Sequence, residues 1–139
     1  MSEANVEIVR RLFVAADEGD AATVFSLYDP EVEFDSTRSP LPRLVGGAAS
    51  VYGGHEGLRR FFRERSEHME DIEDTCEELI DAGEAVVSVV TTRGRGRSSG
   101  AEVTSPSYAA VWTIREGRIL RVVWLPSRAE ALELVGLPD

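Results

Sequence analysis

Two side chains of this 139-residue sequence sit where proton transfer chemistry is possible, Asp35 and His55. Asp35 lies in an alternating stretch over residues 31–36 that reads as a strand, with Val32 and Phe34 on one face and Glu33 and Asp35 on the other. In an apolar pocket its carboxyl pKa would rise and make it a general base; facing solvent it is an ordinary strand acid. His55 follows Gly53-Gly54 and opens a helix. There an imidazole can donate to a carbonyl, exchange a proton, or simply occupy the surface. Arg93, Arg95 and Arg97 recur at every second position, so one strand face carries all three. Such a row clamps an anion or pairs with acids across a hairpin, and Glu102 is placed for the second role. No metal site is expected, because the only other histidine, His68, has no second ligand at helical spacing. Cys76 has no neighbouring base and reads as a packed strand residue.

The elements that position these groups follow from periodicity. Val6, Val9, Phe13 and Ala16, widened by Ile8, Leu12 and Ala15, predict a helix over residues 3–18. Gly19 suits its C-terminal cap and Asp20 the N-cap of a second helix, which buries Val24, Phe25 and Tyr28 and stops near Pro30. Residues 37–54, with Pro40, Pro42, Gly46, Gly47, Gly53 and Gly54, read as a long loop. A third helix over 55–66 buries Leu58, Phe61 and Phe62 and exposes Arg59, Arg60 and Arg63. The acids between Glu67 and Glu84 read as a solvated connection into a strand that starts at Thr75. From there the period is two: strands over 75–82, 85–97, 101–115 and 118–125, joined by hairpins at Gly83-Glu84, Ser98-Ser99-Gly100 and Glu116-Gly117. Pro106 marks a bulge or an edge. Ser127 and Glu130 form a capping box for a last short helix closed by Gly136. The order α-α-β-α-β-β-β-β-α allows one helix layer on a curved sheet, with a ligand-sized space between them.

Length favours one domain over residues 1–139. The net charge of −10 disfavours nucleic acid and anionic membranes as partners. The N-terminus lacks a signal-peptide pattern and one cysteine cannot form an internal disulfide, so the expected setting is cytoplasmic.

The segments VRRLFVAADEGDAATVFSLYDPEVEF, YGGHEGLRRFF, GRGRSSG and VWTIREGRILRVVWLPSRAEALELVGL, in this order, resemble the SnoaL-like branch of the nuclear transport factor 2-like superfamily. The resemblance implies an α+β fold: a cone-shaped α+β barrel whose curved, mainly antiparallel sheet packs on three N-terminal-half helices, with a short C-terminal helix. It also implies a mostly apolar pocket and a homodimer formed through the outer sheet face. It implies no single activity, since relatives include polyketide cyclases, ketosteroid isomerases, epoxide hydrolases and non-catalytic binding domains. Asp35 falls at or one position from the isomerase base. The isomerase oxyanion donors, however, are matched here by Leu12 and by Ala109 or Ala110, so the donors are absent. Residues 119–125 hold no Asp or Glu, so the acids that epoxide hydrolases and cyclases use are absent there too.

A two-residue turn at Glu116-Gly117 pairs Trp112 with Arg121, Val111 with Val122 and Ala109 with Trp124. By similarity to the family, Ser107, Ala109, Val111, Leu120, Val122 and Trp124 then face the pocket, and Trp112 lies on the opposite face, at a dimer interface. Tyr28, Phe34, Tyr52, Phe61 and Phe62 complete the apolar wall, with Arg93 at the mouth. The expected function is binding of a small, largely apolar molecule, with cofactor-independent acid–base chemistry by Asp35 or His55. The alternative is a non-catalytic dimeric binding or accessory module with a vestigial pocket.

Overall fold

The computed structural model describes residues 2–45 and 49–139. Gly46 and Gly47 of the predicted loop lie outside the described residues. Helix α1 (Glu3–Asp17) starts where Ser2 Oγ accepts from the Asn5 amide at 3.1 Å, and it buries Val9, Leu12 and Ala15. Gly19 has φ +72°, the left-handed conformation that ends a helix without a Cβ clash. Asp20 then caps α2 (Ala21–Leu27) by accepting from the Thr23 amide at 3.1 Å. The chain turns extended three residues before the expected strand start at Glu31. Tyr28, assigned to the helix by its apolar spacing, has φ −91° and ψ 137° and opens strand β1 (Tyr28–Asp35).

The stretch expected as a loop contains a short helix, α3 (Leu41–Val45), and a three-residue strand, β2 (Val51–Gly53). Ser36 ties its base: its Oγ donates to the Ser50 carbonyl at 3.0 Å and accepts from the Ser50 amide at 3.1 Å. Helix α4 (Gly54–His68) is followed by β3 (Met69–Ala82), β4 (Ala85–Gly96), β5 (Glu102–Thr104), β6 (Tyr108–Arg115), β7 (Arg118–Leu125) and α5 (Arg128–Val135). Ser127 and Gly136 cap α5 as their types suggest.

The strands form one open, curved sheet in the order β2-β1-β7-β6-β4-β3, with β5 on β4. All pairings are antiparallel except β1 with β7, which run parallel. Two expectations need correction. The acidic segment is not a solvated connection, because Glu70 and Glu73 lie within β3 opposite Arg95 and Arg93 of β4. Opposite charges across the ladder let a strongly acidic sequence pair as a strand. Residues 101–115 are likewise not one strand, since the chain leaves the ladder between Thr104 and Tyr108, around Pro106.

The last hairpin carries the main correction. Glu116 (φ 52°) and Gly117 (φ 77°) make the expected two-residue turn, and Arg115 faces Arg118. A bulge then shifts the register, so Trp112 pairs with Val122 and Ala110 with Trp124. A one-residue slip exchanges the two faces of a strand. Trp112 and Trp124 therefore lie on the same face, with ring centroids 5.5 Å apart. Trp112 is not at a dimer interface: it is 1 % exposed, meets Phe13 of α1 edge-on at 6.0 Å and donates from Nε1 to Ser88 Oγ at 2.8 Å. Ala109 and Val111 turn to the other face, where they pack with Val87, Val123 and Leu125 against Ala131 and Leu132 of α5.

Helix α4 is seated through Gly57, where an added Cβ would lie 2.9 Å from the Tyr52 carbonyl carbon of β2. A glycine-to-alanine change inside a helix normally stabilises by about 1 kcal/mol. Here Gly57→Ala should destabilise by roughly 2 kcal/mol instead, through the overpacking it forces. Urea denaturation reads the sign directly.

Candidate functional site

Helices α1, α2 and α4 leave a cavity of about 120 Å³ against the inner face of the sheet. Phe34 of β1 anchors its wall, 4.4 Å from Phe61 and 6.2 Å from Trp124 between ring centroids. Tyr108 packs at a tilt against Trp124 at 5.5 Å, and Tyr52 meets Phe61 at 5.5 Å. Ser39, Leu41 and Pro42 border the cavity from the segment after β1, and the exposed His68 lies at its edge.

The side of the cavity where α4 passes into β3 is polar. Arg65 Nη2 donates to both oxygens of Asp74, at 2.7 and 2.8 Å. Thr92 Oγ1 donates to Asp74 Oδ1 at 2.7 Å and lies 2.5 Å from the Tyr108 hydroxyl. Thr92 has one hydroxyl proton, and the carboxylate takes it. Tyr108 must then donate to Thr92, giving the sequence Tyr108 to Thr92 to Asp74. Ser105 holds Thr92 in place: its Oγ accepts from the Thr92 amide at 2.9 Å, and its own amide donates to the Thr92 carbonyl at 2.8 Å. Burial raises the Tyr108 pKa well above the usual phenol range, and the Asp74 charge adds to the effect. Elsewhere on the wall the Tyr52 hydroxyl donates to Glu64 Oε1 at 2.6 Å, and the Arg60 guanidinium sits 4.7 Å from the Tyr52 ring centre. Burial, then the bond to Glu64, pushes the Tyr52 pKa up to about 12. Arg65 Nε and Trp124 Nε1, in two residues that border this cavity, are buried and have no acceptor among the described residues.

The residues expected at the site divide. Tyr28, Phe34, Tyr52, Phe61, Phe62 and Trp124 border the cavity. Val122 shares their side of the sheet within the core beneath. Asp35 does not border it; its Oδ1 accepts from the Thr37 amide at 2.9 Å and from Thr37 Oγ1 at 2.6 Å, closing the turn after β1. His55 packs on Phe25, and its Nε2 lies 2.9 Å from the Tyr28 carbonyl, tying α4 to β1. Arg93 is exposed and pairs with Glu73 at 3.2 Å. Ser107 is exposed and donates to Glu77 at 2.8 Å. Ala109 and Val111 are on the far face for the reason given above. Sequence reasoning missed Arg65, Asp74, Thr92, Tyr108 and Trp112. Asp74 pairs with Thr92 across the β3–β4 ladder, a relation that appears only once the acidic segment is taken as a strand with its bulges. Among the described residues, no three of His, Cys, Asp and Glu are grouped to hold a metal ion, and no helix is long and apolar enough to cross a membrane.

The family model of the SnoaL-like domain matches residues 9–122. No curated protein matches. Solved structures similar to this chain include an NTF2-like protein of unknown function from Burkholderia pseudomallei, 24% identical over 97% of this chain and 98% of that one, with a TM-score of 0.76. TerC co-crystallised with polyporic acid is 20% identical over 96% and 99%, with a TM-score of 0.74. A protein of ketosteroid isomerase-like fold from Catenulispora acidiphila, in complex with trimethylamine, is 16% identical over 95% and 94%, with a TM-score of 0.70. At these identities the likeness is one of fold.

Two outcomes test the geometry of the polar side. Arg65 and Asp74 keep side-chain exposures of 17% and 28%. Their pair falls between the surface and buried limits, so Arg65→Met should destabilise by roughly 2 kcal/mol. Adding Asp74→Leu should recover part of that loss, as a thermal-melt double-mutant cycle will read. The second concerns alkali. The chain has three tyrosines, and all its basic residues except the two histidines are arginine, so no lysine titrates near pH 10. Burial raises Tyr28 and Tyr108 far above the phenol range and Tyr52 to about 12. The folded chain should thus show little phenolate absorbance at pH 11. The unfolded chain ionises near pH 10, so the stability these groups contribute is full below about pH 10 and is lost as pH rises above it.

Proposed function

Because the chain belongs to the SnoaL-like domain family, whose fold serves many activities, function must be argued from the site, and we propose that it binds a small, largely apolar, ring-containing molecule in the cavity beneath α1, α2 and α4. The observation that carries this is the combination of an aromatic wall with one polar side, the usual composition of a small-molecule site. Size narrows it: an apolar cavity of about 150 Å³ accommodates benzene, so 120 Å³ suits a single ring rather than a fused ring system.

The Tyr108–Thr92–Asp74 sequence extends the proposal to acid–base chemistry. A ligand proton passing to the Tyr108 oxygen moves the phenol proton to Thr92 and the threonine proton to Asp74, which ends as the neutral acid while the ligand is left as the conjugate base. Arg65, already bonded to Asp74, holds that carboxylate in place. A vestigial module would leave the cavity walled by hydrocarbon alone, whereas Glu64, Asp74 and Tyr108 all border it.

The chain's two tryptophans, Trp112 and Trp124, both border the cavity, so occupancy should change intrinsic fluorescence. Benzene is the simplest probe of the apolar wall. At ten times its Kd it should add about 1.4 kcal/mol of stability, seen as a rise in Tm. Unchanged fluorescence and unchanged Tm up to the solubility limit of benzene would remove the proposal.

A further inference from the structure

The cavity has a thin wall on the side of α2. Beyond it, a cleft of about 390 Å³ lies open to solvent between the α1–α2 turn and α4. Ala16, Ala21, Val24, Phe25 and Phe62 give the cleft its apolar lining, and Ala16, Val24 and Phe62 border the cavity as well. One layer of side chains therefore separates the two spaces. These three residues differ in how far they can move. Ala16 has no rotamer to change. Val24 is buried at 7 % exposure, and its β-branch holds χ1 to one rotamer in a helix. Phe62 is half-buried and has space on both sides of the wall it forms. Its aromatic neighbours Phe61 and Phe25 meet it edge-on, at 5.3 and 6.1 Å between ring centroids. A ring that faces free space on two sides gives up few dispersion contacts when it turns.

We propose that Phe62 is a specificity-determining gate and that the ligand is a single aromatic ring carrying an unbranched, uncharged alkyl tail, the ring lying in the cavity and the tail passing Phe62 into the cleft. This rests on the cavity-binding proposal above and adds the rest of the ligand. A cavity of about 120 Å³ is filled by the ring, so any longer substituent has to leave it. The border at Glu64, Arg65 and His68 would lose hydration to a hydrocarbon tail, whereas the cleft offers apolar surface. The two charged residues of the cleft, Asp20 and Arg59, already have partners. Asp20 accepts from the Thr23 amide and hydroxyl, and Arg59 pairs with Glu56 at 3.4 Å and lies 5.4 Å from the Phe25 ring centre. Their charges balance, so neither an acid nor an amine at the end of the tail is selected. Branching next to the ring widens the substituent where it must pass Val24 and Phe62, so the gate admits a linear tail and rejects its branched isomer.

The test measures the affinities of benzene, n-butylbenzene and tert-butylbenzene through the fluorescence of Trp112 and Trp124, both on the cavity. The two butyl isomers have the same carbon count, so hydrophobicity alone does not separate them. Each methylene taken out of water tightens binding about fourfold. Allowing for the turn of Phe62, n-butylbenzene should bind the wild type roughly tenfold or more tightly than either benzene or its tert-butyl isomer. Ala21→Leu narrows the cleft from an exposed position that does not border the cavity. It should abolish the n-butyl advantage and change benzene by less than twofold. Phe62→Ala should remove the discrimination by admitting the tert-butyl isomer. Equal binding of the two isomers to the wild type would overturn the inference and leave cavity binding intact. An n-butyl advantage that survives in Ala21→Leu would also overturn it, by placing the tail beside Leu41 and Pro42. Binding of none of the three would remove both proposals. Should Phe62→Ala fail to fold, the isomer comparison on the wild type and Ala21→Leu decides alone.

Discussion

The contact of Arg65 Nη2 with both oxygens of Asp74 is the interaction on which the polar side of the molecule depends. Arg65 is in the last turn of α4 and Asp74 is five residues into β3, so the pair fixes how the helix leaves the inner layer and enters the sheet. Asp74 is then available to Thr92, and Thr92 to Tyr108, which sets the phenol in the wall opposite the helices. Partly shielded charges are worth keeping only when their remaining lone pairs are used. Here one carboxylate takes three hydrogen bonds from two side chains. Without it, Thr92 would turn its hydroxyl elsewhere and Tyr108 would lose its partner in a buried position.

Around that anchor the cavity is an interruption of an otherwise close-packed core. Phe34, Tyr52 and Phe61 meet at edge-on and tilted angles, as aromatic quadrupoles prefer, which keeps the wall rigid while leaving space between the rings. The sheet curves around this space with bulges in β3 between Glu70 and Glu73 and between Cys76 and Glu78, and a left-handed residue at Asp71. Bulges of this kind bend long strands and increase their twist. The open edge at β3 is lined with acids answered by Arg93 and Arg97, so charge rather than closure protects it.

Much of the frame was legible because local chemistry wrote it. Gly19-Asp20 ends one helix and starts the next, Ser127 and Glu130 open the last, and Glu116-Gly117 turns the last hairpin. What was not legible depended on partners distant in sequence. The acids of β3 look like solvated coil until the arginines of β4 are set opposite them. Tyr28 fits the helical stripe of α2, yet its backbone is taken by pairing with Ile119 of β7. Asp35 and His55 have the right types and neighbourhoods for chemistry, but nearby polar groups claim them, Thr37 for one and the Tyr28 carbonyl for the other. The groups that do meet at the cavity, Arg65, Asp74, Thr92 and Tyr108, come from four separate elements or their junctions, and no spacing along the chain announces them.

The bulge in the last hairpin decides which side chains of β7 reach the cavity. Beyond it, Val122 and Trp124 look toward the helices while Val123 and Leu125 look toward α5. Loss of the one extra residue near Leu120 would exchange these sets, placing Val123 and Leu125 on the cavity and sending the indole out beneath α5. Both sets are apolar, so each layer could still pack. A single codon deletion would thus replace the indole of the cavity wall with plain aliphatic lining. Insertions and deletions at this bulge are accordingly a route to a new cavity lining that no single substitution gives.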